Sequence, residues 1–252
     1  MKIVFPKNIF TSILLAAMPE QLKSSVTFKD APIISQEIEK NNADLALMPS
    51  LDLIKHPDLL VSSKIALSFD GSLSNTYLYF MPNQNKFTDI YLNGDISSNE
   101  IILSKILFNE KYGSDVQIHL DTNKLEKIDK NYLLAGDINL INNRYTNGMS
   151  FADEISEMMF LPYVNYVAVS KNREALESFN KALKGMDAII EDNIGSYLDT
   201  SNLTEESRDY IEGSLNSVYY EMTNSEVDGL KELIQMPYFH GIWDDMVDLK
   251  LV

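Results

Sequence analysis

Between residues 45 and 48 the chain reads Leu45-Ala46-Leu47-Met48, four apolar residues with no polar alternate. A strand with one wet face alternates, so a run without alternation belongs to a sheet covered on both faces, as crossover helices cover a parallel sheet. Short β-branched or aromatic runs do alternate with helical patterns through the first half, the signature of βαβ units. Ile3-Val4-Phe5 is the first strand and residues 9–18 the first helix. Residues 25–28 follow as a strand. Residues 33–40 form an amphipathic helix with Ile34 and Ile38 on one face, stopped by Asn41-Asn42. The apolar run at 45–48 then ends in Pro49-Ser50.

Residues 61–68 and 75–81 read as two strands around the turn Asp70-Gly71-Ser72. Pro82-Asn83-Gln84-Asn85 breaks the periodicity and serves as the linker into a second lobe. That lobe opens with Ile90-Tyr91-Leu92, turns at Asn93-Gly94-Asp95 and enters a helix over residues 98–109. Residues 115–119 and Tyr132-Leu133-Leu134-Ala135 supply its next strands, the latter ending at Gly136-Asp137. Residues 142–150 are polar and rich in breakers. Leu161-Pro162-Tyr163 leads into a strand at 164–169, a return path to the first lobe. Helical patterns follow over 174–186, 188–198, 205–220 and 225–236, with Thr204 and Thr223 placed as capping residues ahead of acids. The layout predicts one lobe from residues 1–84 and 166–252 and another from 85–165. A ligand would lie between them, outside the carboxyl ends of the parallel strands.

Lysine and arginine number 21 against 37 aspartates and glutamates, a net charge of −16. Such a field repels nucleic acid and anionic membranes at long range and argues against both as partners. The absence of cysteine excludes disulfides, thiol catalysis and cysteine-ligated metal. His56, His119 and His240 show no metal-ligand spacing. Lys2 and Lys7 ahead of the apolar stretch 9–18 superficially resemble a signal peptide, but residues 2–5 read as a buried strand and no A-x-A cleavage signature follows. No segment reaches the roughly 18 apolar residues of a membrane span. The expected compartment is the cytoplasm.

Four strand ends place small polar groups beyond apolar runs: Lys7-Asn8, Pro49-Ser50, residues 95–99 and Gly136-Asp137. Ser97-Ser98-Asn99 is the most suggestive chemically. At a helix start, unpaired backbone N–H groups and two hydroxyls make a seat for a carboxylate or phosphate. The plainer reading is that Ser97 or Ser98 caps its own helix. Glu100 divides the two, because in the first turn it takes the dipole interaction of about 0.3–1 kcal/mol for itself and repels an incoming anion. Asp244-Asp245 and Glu205-Glu206 point different ways on a helix and read as solvated surface rather than a glycosidase pair. Asp70 beside Gly71 is foremost a turn former. No phosphate-loop, dinucleotide, nucleophile-elbow or zinc-protease motif occurs.

Taken in order, these motifs resemble the chorismate dehydratase family of the futalosine route to menaquinone, whose members have a type II periplasmic-binding fold and work in the cytoplasm. Residues 33–39 followed by Ala43-Asp44-Leu45-Ala46-Leu47-Met48-Pro49-Ser50 are similar to the family's helix and D-x-A-L-x-P-S strand end. Asp70-Gly71 resembles its D-G-x-V-x-S turn, and residues 107–113, closing on Lys111-Tyr112-Gly113, the end of the helix after its serine motif. Gly136-Asp137 resembles its strand-end G-D, Leu161-Pro162-Tyr163-Val164 its L-P-F-V entry, and residues 210–230 its closing helix pair. The similarity covers nearly the whole chain. It departs at two places. Where the family carries S-S-R-T, this chain has Ser97-Ser98-Asn99-Glu100, or Ile96-Ser97-Ser98-Asn99 in the ungapped register, without the arginine. Where the family's first strand runs into S-Y-L-N, this chain has Lys7-Asn8-Ile9-Phe10-Thr11, with Asn8 matching only by a shift.

The resemblance implies an α/β, two-lobed type II periplasmic-binding-protein-like fold with mixed, mainly parallel sheets and a helical C-terminal region. It implies a hydro-lyase with no cofactor or metal, in which chorismate loses water to give 3-(1-carboxyvinyloxy)benzoate. Such a protein holds two carboxylates and removes a ring proton, mostly by positioning and preorganised electrostatics. The expected substrate-binding set is Asn8, Pro49, Ser50, Asp70, Gly71, Ser72, Ser97, Ser98, Asn99, Gly136 and Asp137. Ser97 and Ser98 would form the carboxylate seat, with Ser50, Ser72 and Asn99 orienting; no general base is assignable. Lys7 or Arg144 would replace the missing guanidinium. The alternative is a non-catalytic protein on the same scaffold that binds or senses a small carboxylate. An enzyme acting on a larger futalosine-derived ligand fits the motif order less well. In each case the expected partner is a small anionic metabolite, and oligomeric state is not legible.

Overall fold

A computed structural model describes residues 1–82, 86–199 and 201–252. The chain starts one sheet with β1 (Ile3–Pro6), β2 (Val26–Lys29), β3 (Leu45–Pro49) and β4 (Leu60–Phe69). It crosses to a second sheet of β5 (Thr76–Tyr79), β6 (Asp89–Gly94), β7 (Gln117–Leu120), β8 (Tyr132–Ala135) and β9 (Met149–Ser150), then returns with β10 (Tyr163–Ser170), β11 (Val218–Glu221) and β12 (Lys250–Leu251). The strand orders are β11-β4-β10-β3-β1-β2, with β12 beside β4, and β7-β6-β8-β5-β9. Pairs separated by an inserted helix, such as β1 with β3 and β6 with β7, run parallel. The strands on which the chain changes lobe, β5 and β10, pair antiparallel with their neighbours. The protein is therefore an α/β chain of two lobes with mixed sheets.

The missing alternation of residues 45–48 has its cause in this order. β3 lies between β1 and β10, and all five of its residues are buried. β10, between β3 and β4, is buried along all eight residues. The helix Ile9–Ala17 packs Ile9, Phe10, Ile13 and Leu14 inward, each side chain contributing roughly 1.5–3 kcal/mol by leaving water. Phe10 meets Phe69 of β4 edge to face at 5.2 Å. Asn8 caps this helix, accepting from the Thr11 backbone N–H at 2.9 Å. Thr204 and Thr223 cap the helices Glu205–Gly213 and Asn224–Phe239 as expected, and Asn41, at φ 57°, ends the helix Ile34–Glu39.

Three expectations change. The crossing falls between Phe69 and Thr76 rather than at residue 85, because β5 registers on β8, Thr76 against Ala135 and Tyr79 against Tyr132. The strand expected at 75–81 thus belongs to the second lobe; residues 83–85 of the expected linker lie outside the described residues. The helix expected over 205–220 stops at Gly213, and Val218-Tyr219-Tyr220, β-branched and aromatic, take the edge position beside β4. The closing helix pair is therefore interrupted by a strand. The helix Phe151–Met159, unassigned from sequence, buries Phe151, Ala152, Ile155 and Met159. Among the described residues no helix is long and apolar enough to cross a membrane.

Gly94 closes β6 at φ +100°, where a Cβ would stand 2.0 Å from the Ala135 carbonyl oxygen of β8. Gly94→Ala should lower the unfolding free energy by about 2–3 kcal/mol, since backbone must move against backbone. Urea denaturation reads this directly, and an unchanged midpoint would show that the two strand ends yield at no cost.

Candidate functional site between the lobes

The carboxyl ends of β1, β2 and β3 meet those of β6 and β8 across a crevice. On the first lobe three helical turns begin there, at Ile9, at Ala31 and at Ser50. First-turn N–H groups have no partner within their own helix and draw acceptors from outside. The second lobe supplies all three. Ile9 N–H donates to Asp137 Oδ1 at 2.9 Å, Ala31 N–H to the two Asp95 oxygens at 2.9 and 3.1 Å, and Leu51 N–H to Asn99 Oδ1 at 2.9 Å.

Behind these contacts runs a buried chain of asparagines. Asn99 Nδ2 donates to the Asn165 carbonyl at 2.7 Å and to its Oδ1 at 2.9 Å, and Asn165 Nδ2 donates to Asn75 Oδ1 at 3.2 Å. The Tyr163 hydroxyl also donates to Asn165 Oδ1, at 3.0 Å. Asn139 Nδ2 reaches the carbonyls of Asn75, Leu134 and Gly136, and its Oδ1 accepts from the Tyr79 hydroxyl at 2.9 Å. Ser50 donates to the Val164 carbonyl at 2.6 Å. Asn165 and Asn75 were not anticipated. The signal for Asn165 was its position inside the apolar run 164–169, where a polar side chain buried on both faces must find partners.

Ser97 is the N-cap of the helix Ser98–Tyr112. Its backbone N–H and its hydroxyl both donate to Glu100 Oε2, at 2.8 and 2.6 Å, so the helix start holds the protein's own carboxylate instead of offering an open anion seat. Glu100 is 1% exposed, and burial raises its pKa against the pull of those hydrogen bonds. Ser98 Oγ lies close enough to help lower the Asp52 pKa, yet makes no hydrogen bond of ordinary geometry; burial prevails and Asp52 is raised. Asp95 is pushed up to about 6, first by burial and then, against its bond from Ala31, by the neighbouring Asp30, Glu100 and Asp137.

Of the residues expected in the site, the crevice gathers Asn8, Pro49, Ser50, Ser97, Ser98, Asn99, Gly136 and Asp137. Asn8, 2% exposed, leaves its Nδ2 without a partner. Asp70, Gly71 and Ser72 lie in the crossing segment, where Asp70 N–H donates to the Ser217 carbonyl and the Ser72 carbonyl accepts from the Tyr210 hydroxyl at 2.9 Å. Of the two expected cations, Lys7 is exposed and acts on Asp137 only through space, while Arg144 donates to the Leu125 carbonyl at 3.4 Å. Near Asp137 the crevice keeps a cavity of about 270 Å³, lined by Ile9, Ser12, Ile13, Ala16, Asp137, Ile141, Tyr197, Ser201, Asn202 and Leu203. A larger hollow of about 500 Å³ lies on the first lobe alone, between the helix Met186–Asp199 and β11, and includes none of the expected residues.

No protein-family profile matches the chain, and no curated protein is similar to it. Solved structures are. Protein AF1704 from Archaeoglobus fulgidus superposes with a TM-score of 0.71 at 14% identity, over 96% of this chain and 98% of that one. The alkanesulfonate-binding protein SsuA from Xanthomonas axonopodis pv. citri, bound to MOPS, gives 0.62 at 12% identity, over 100% and 97%. The Candida albicans CA3427 gene product, described as having the generic periplasmic binding protein fold, gives 0.54 at 10% identity, over 97% and 91%. The chain has the periplasmic-binding-protein fold.

Two outcomes follow from the crevice chemistry. Asn99→Ala strands the Leu51 N–H and removes a donor from the Asn165 carbonyl, while Asn165 Oδ1 keeps the Tyr163 hydroxyl, and should cost about 2–3 kcal/mol of stability. Asn99→Asp should cost more at neutral pH, because the new carboxylate faces those two oxygens, and the gap between the variants should narrow in acid as it gains a proton to donate. Equal stability of the two variants at pH 7 would contradict the assigned Asn99 orientation. Separately, Asp95 binds its proton more tightly folded than unfolded, so its contribution is full below its ordinary value of 3.8 and is lost as pH rises to about 6. Asp187, also raised to about 6 by burial, acts in the same window. The urea midpoint should therefore be weakened by these two groups between about pH 4 and 6, and Asp95→Asn should flatten that slope; an unchanged slope would count against a buried carboxyl there.

Proposed function

We propose that this chain is a two-lobed small-molecule-binding protein without dehydratase chemistry, with its ligand in the crevice cavity beside Asp137. The observation that carries the reading is the occupancy of the crevice by the chain's own groups. Asp137, Asp95 and Asn99 sit on the three helix starts, and Ser97 is committed to Glu100. A dianion entering there meets carboxylates in place of donors. Two like charges 4 Å apart cost roughly 4 kcal/mol at the effective dielectric near a protein surface, and neither Lys7 nor Arg144 offsets that at Ser97. The bound MOPS of the Xanthomonas protein is an instance of ligand binding on this fold, and it supports a binding role here.

Chorismate dehydration keeps one feature in its favour, the order of motifs from Asp44 to Gly136-Asp137. Incubation with chorismate, followed by absorbance and mass spectrometry, separates the two readings. No benzoate product above the spontaneous rate is expected, and sustained turnover would restore the lyase. The location of binding is tested by Ala16→Phe, which fills the cavity. A ligand present at about 100 times its dissociation constant stabilises the protein by roughly 2.7 kcal/mol. That thermal shift should vanish in the variant, and its persistence would move the site elsewhere.

A further inference from the structure

The cavity beside Asp137 has one carboxyl group and, among the described residues, no lysine, arginine or histidine on its wall. Asp137 spends Oδ1 on the Ile9 N–H, at 2.9 Å, while its second oxygen receives no hydrogen bond from the described residues. Of the three hydroxyls on the lining, two have given their protons away, Ser12 Oγ to the Asn8 carbonyl at 3.0 Å and Ser201 Oγ to the Leu198 carbonyl at 2.5 Å, while Tyr197 brings the third and Asn202 a side-chain amide. The two serines have only lone pairs left to offer. An ammonium group has three donors and no acceptor, which is the complement of one carboxylate oxygen and two spent hydroxyls. Apart from Tyr197 and Asn202, the rest of the wall is apolar. Ile141, 38% exposed, lines the cavity with Ile13 and Leu203, so an aliphatic chain would cover surface that water now touches. At about 30 Å³ for each water-sized unit, 270 Å³ admits roughly nine such units, which suits a short chain and no second ring.

We infer that this cavity selects a small primary amine with a short aliphatic chain and rejects carboxylates. The inference rests on the binding role proposed above and assigns its ligand class. Desolvated from one side and short of one hydrogen bond, the Asp137 carboxylate gains a charge-assisted bond from such a ligand, whereas an anion meets like charge with no cation on the wall to offset it. Lys7 reduces the attraction through space, without a place on the cavity wall.

The test titrates the full chain with pentylamine, pentanol and pentanoate, matched in chain length and different in charge, by calorimetry and by methyl NMR. Pentylamine should bind at least about tenfold more tightly than pentanol and shift the methyl resonances of Ile13, Ile141 and Leu203, with pentanoate weakest. Asp137→Asn keeps an oxygen for the Ile9 N–H, so the fold should persist, and the preference for the amine over the alcohol should disappear. The methyl shifts in the unmodified chain decide the location even if that variant unfolds. Pentanoate binding as well as pentylamine, an unchanged preference in Asp137→Asn, or amine-induced shifts away from those three residues would each overturn the inference while leaving a crevice ligand of another class. Failure of all three probes to bind would overturn the inference together with the binding role at this cavity.

Discussion

The structure depends on what becomes of the backbone N–H groups that open the helical turns of the first lobe. Left buried and unpaired, each would cost about 1–3 kcal/mol. Asp137, Asp95 and Asn99 reach across from the second lobe and take one each, at Ile9, Ala31 and Leu51. The two lobes are thereby joined through the very groups that a bound anion would otherwise use. A second seam closes the opposite side, where the helix Glu205–Gly213 docks on the second lobe. Thr204 and Ser207 hydroxyls donate to Asn143 Oδ1 at 2.6 Å each, and Tyr145 stacks on Tyr210 with ring centres 4.2 Å apart. With both seams formed by the chain itself, closure of the lobes needs no ligand.

The same use of acids recurs away from the crevice. Asp187 accepts from the backbone N–H groups of Tyr220 and Glu221, and Glu221 in turn accepts from Gly185 and Asp187. Asp44 accepts from Lys2 N–H at 2.7 Å. Part of the excess of 37 acids over 21 basic residues is thus spent as fasteners for backbone donors. The cost is visible in Asp95 and Asp187, both held near 6 by burial. An acid used this way remains an acceptor after it has taken one bond, because a carboxylate has more lone pairs than one N–H can fill. The surplus lone pairs set the chemical sign of any cavity beside it.

Much of this was legible from residues whose environment leaves few choices. The unbroken run Leu45-Ala46-Leu47-Met48 required a strand covered on both faces, and β3 is one. Thr204 and Thr223 stood where helix starts want a hydroxyl followed by acids. The helix misread at Val218-Tyr219-Tyr220 had the opposite problem: acid-rich residues before it carried a helical pattern forward, and only pairing with β4 decides for the strand. The lobe boundary was misplaced for a similar reason, since the partner of Thr76-Tyr77-Leu78-Tyr79 lies some 55 residues away in β8. At the site, Ser97 followed three residues later by Glu100 is itself the capping-box pattern, so the closed anion seat was present in the sequence as a local signal. What the sequence could not provide is the cross-lobe geometry of Asp95, Asn99 and Asp137, because each bonds to backbone, which leaves no imprint on the identity of its partner.

That geometry also bears on the missing arginine. In the register that lays Ser97-Ser98 on the serines of the dehydratases that the sequence resembles, Asn99 stands where those proteins carry the guanidinium. Asn99 is fully buried, accepts from Leu51 N–H through Oδ1, and donates to two Asn165 oxygens through Nδ2. The position therefore demands one acceptor and one donor group from a single side chain. A guanidinium has five donors and no acceptor, so it could satisfy Asn165 but would abandon Leu51, and it could pair with Glu100 only by drawing that carboxyl off the Ser97 cap. The amide lock on Leu51 and a cation aimed at a substrate carboxylate exclude one another at this residue. In this chain the lock occupies the position, and Glu100, Asp95 and Asp137 extend the same choice across the crevice.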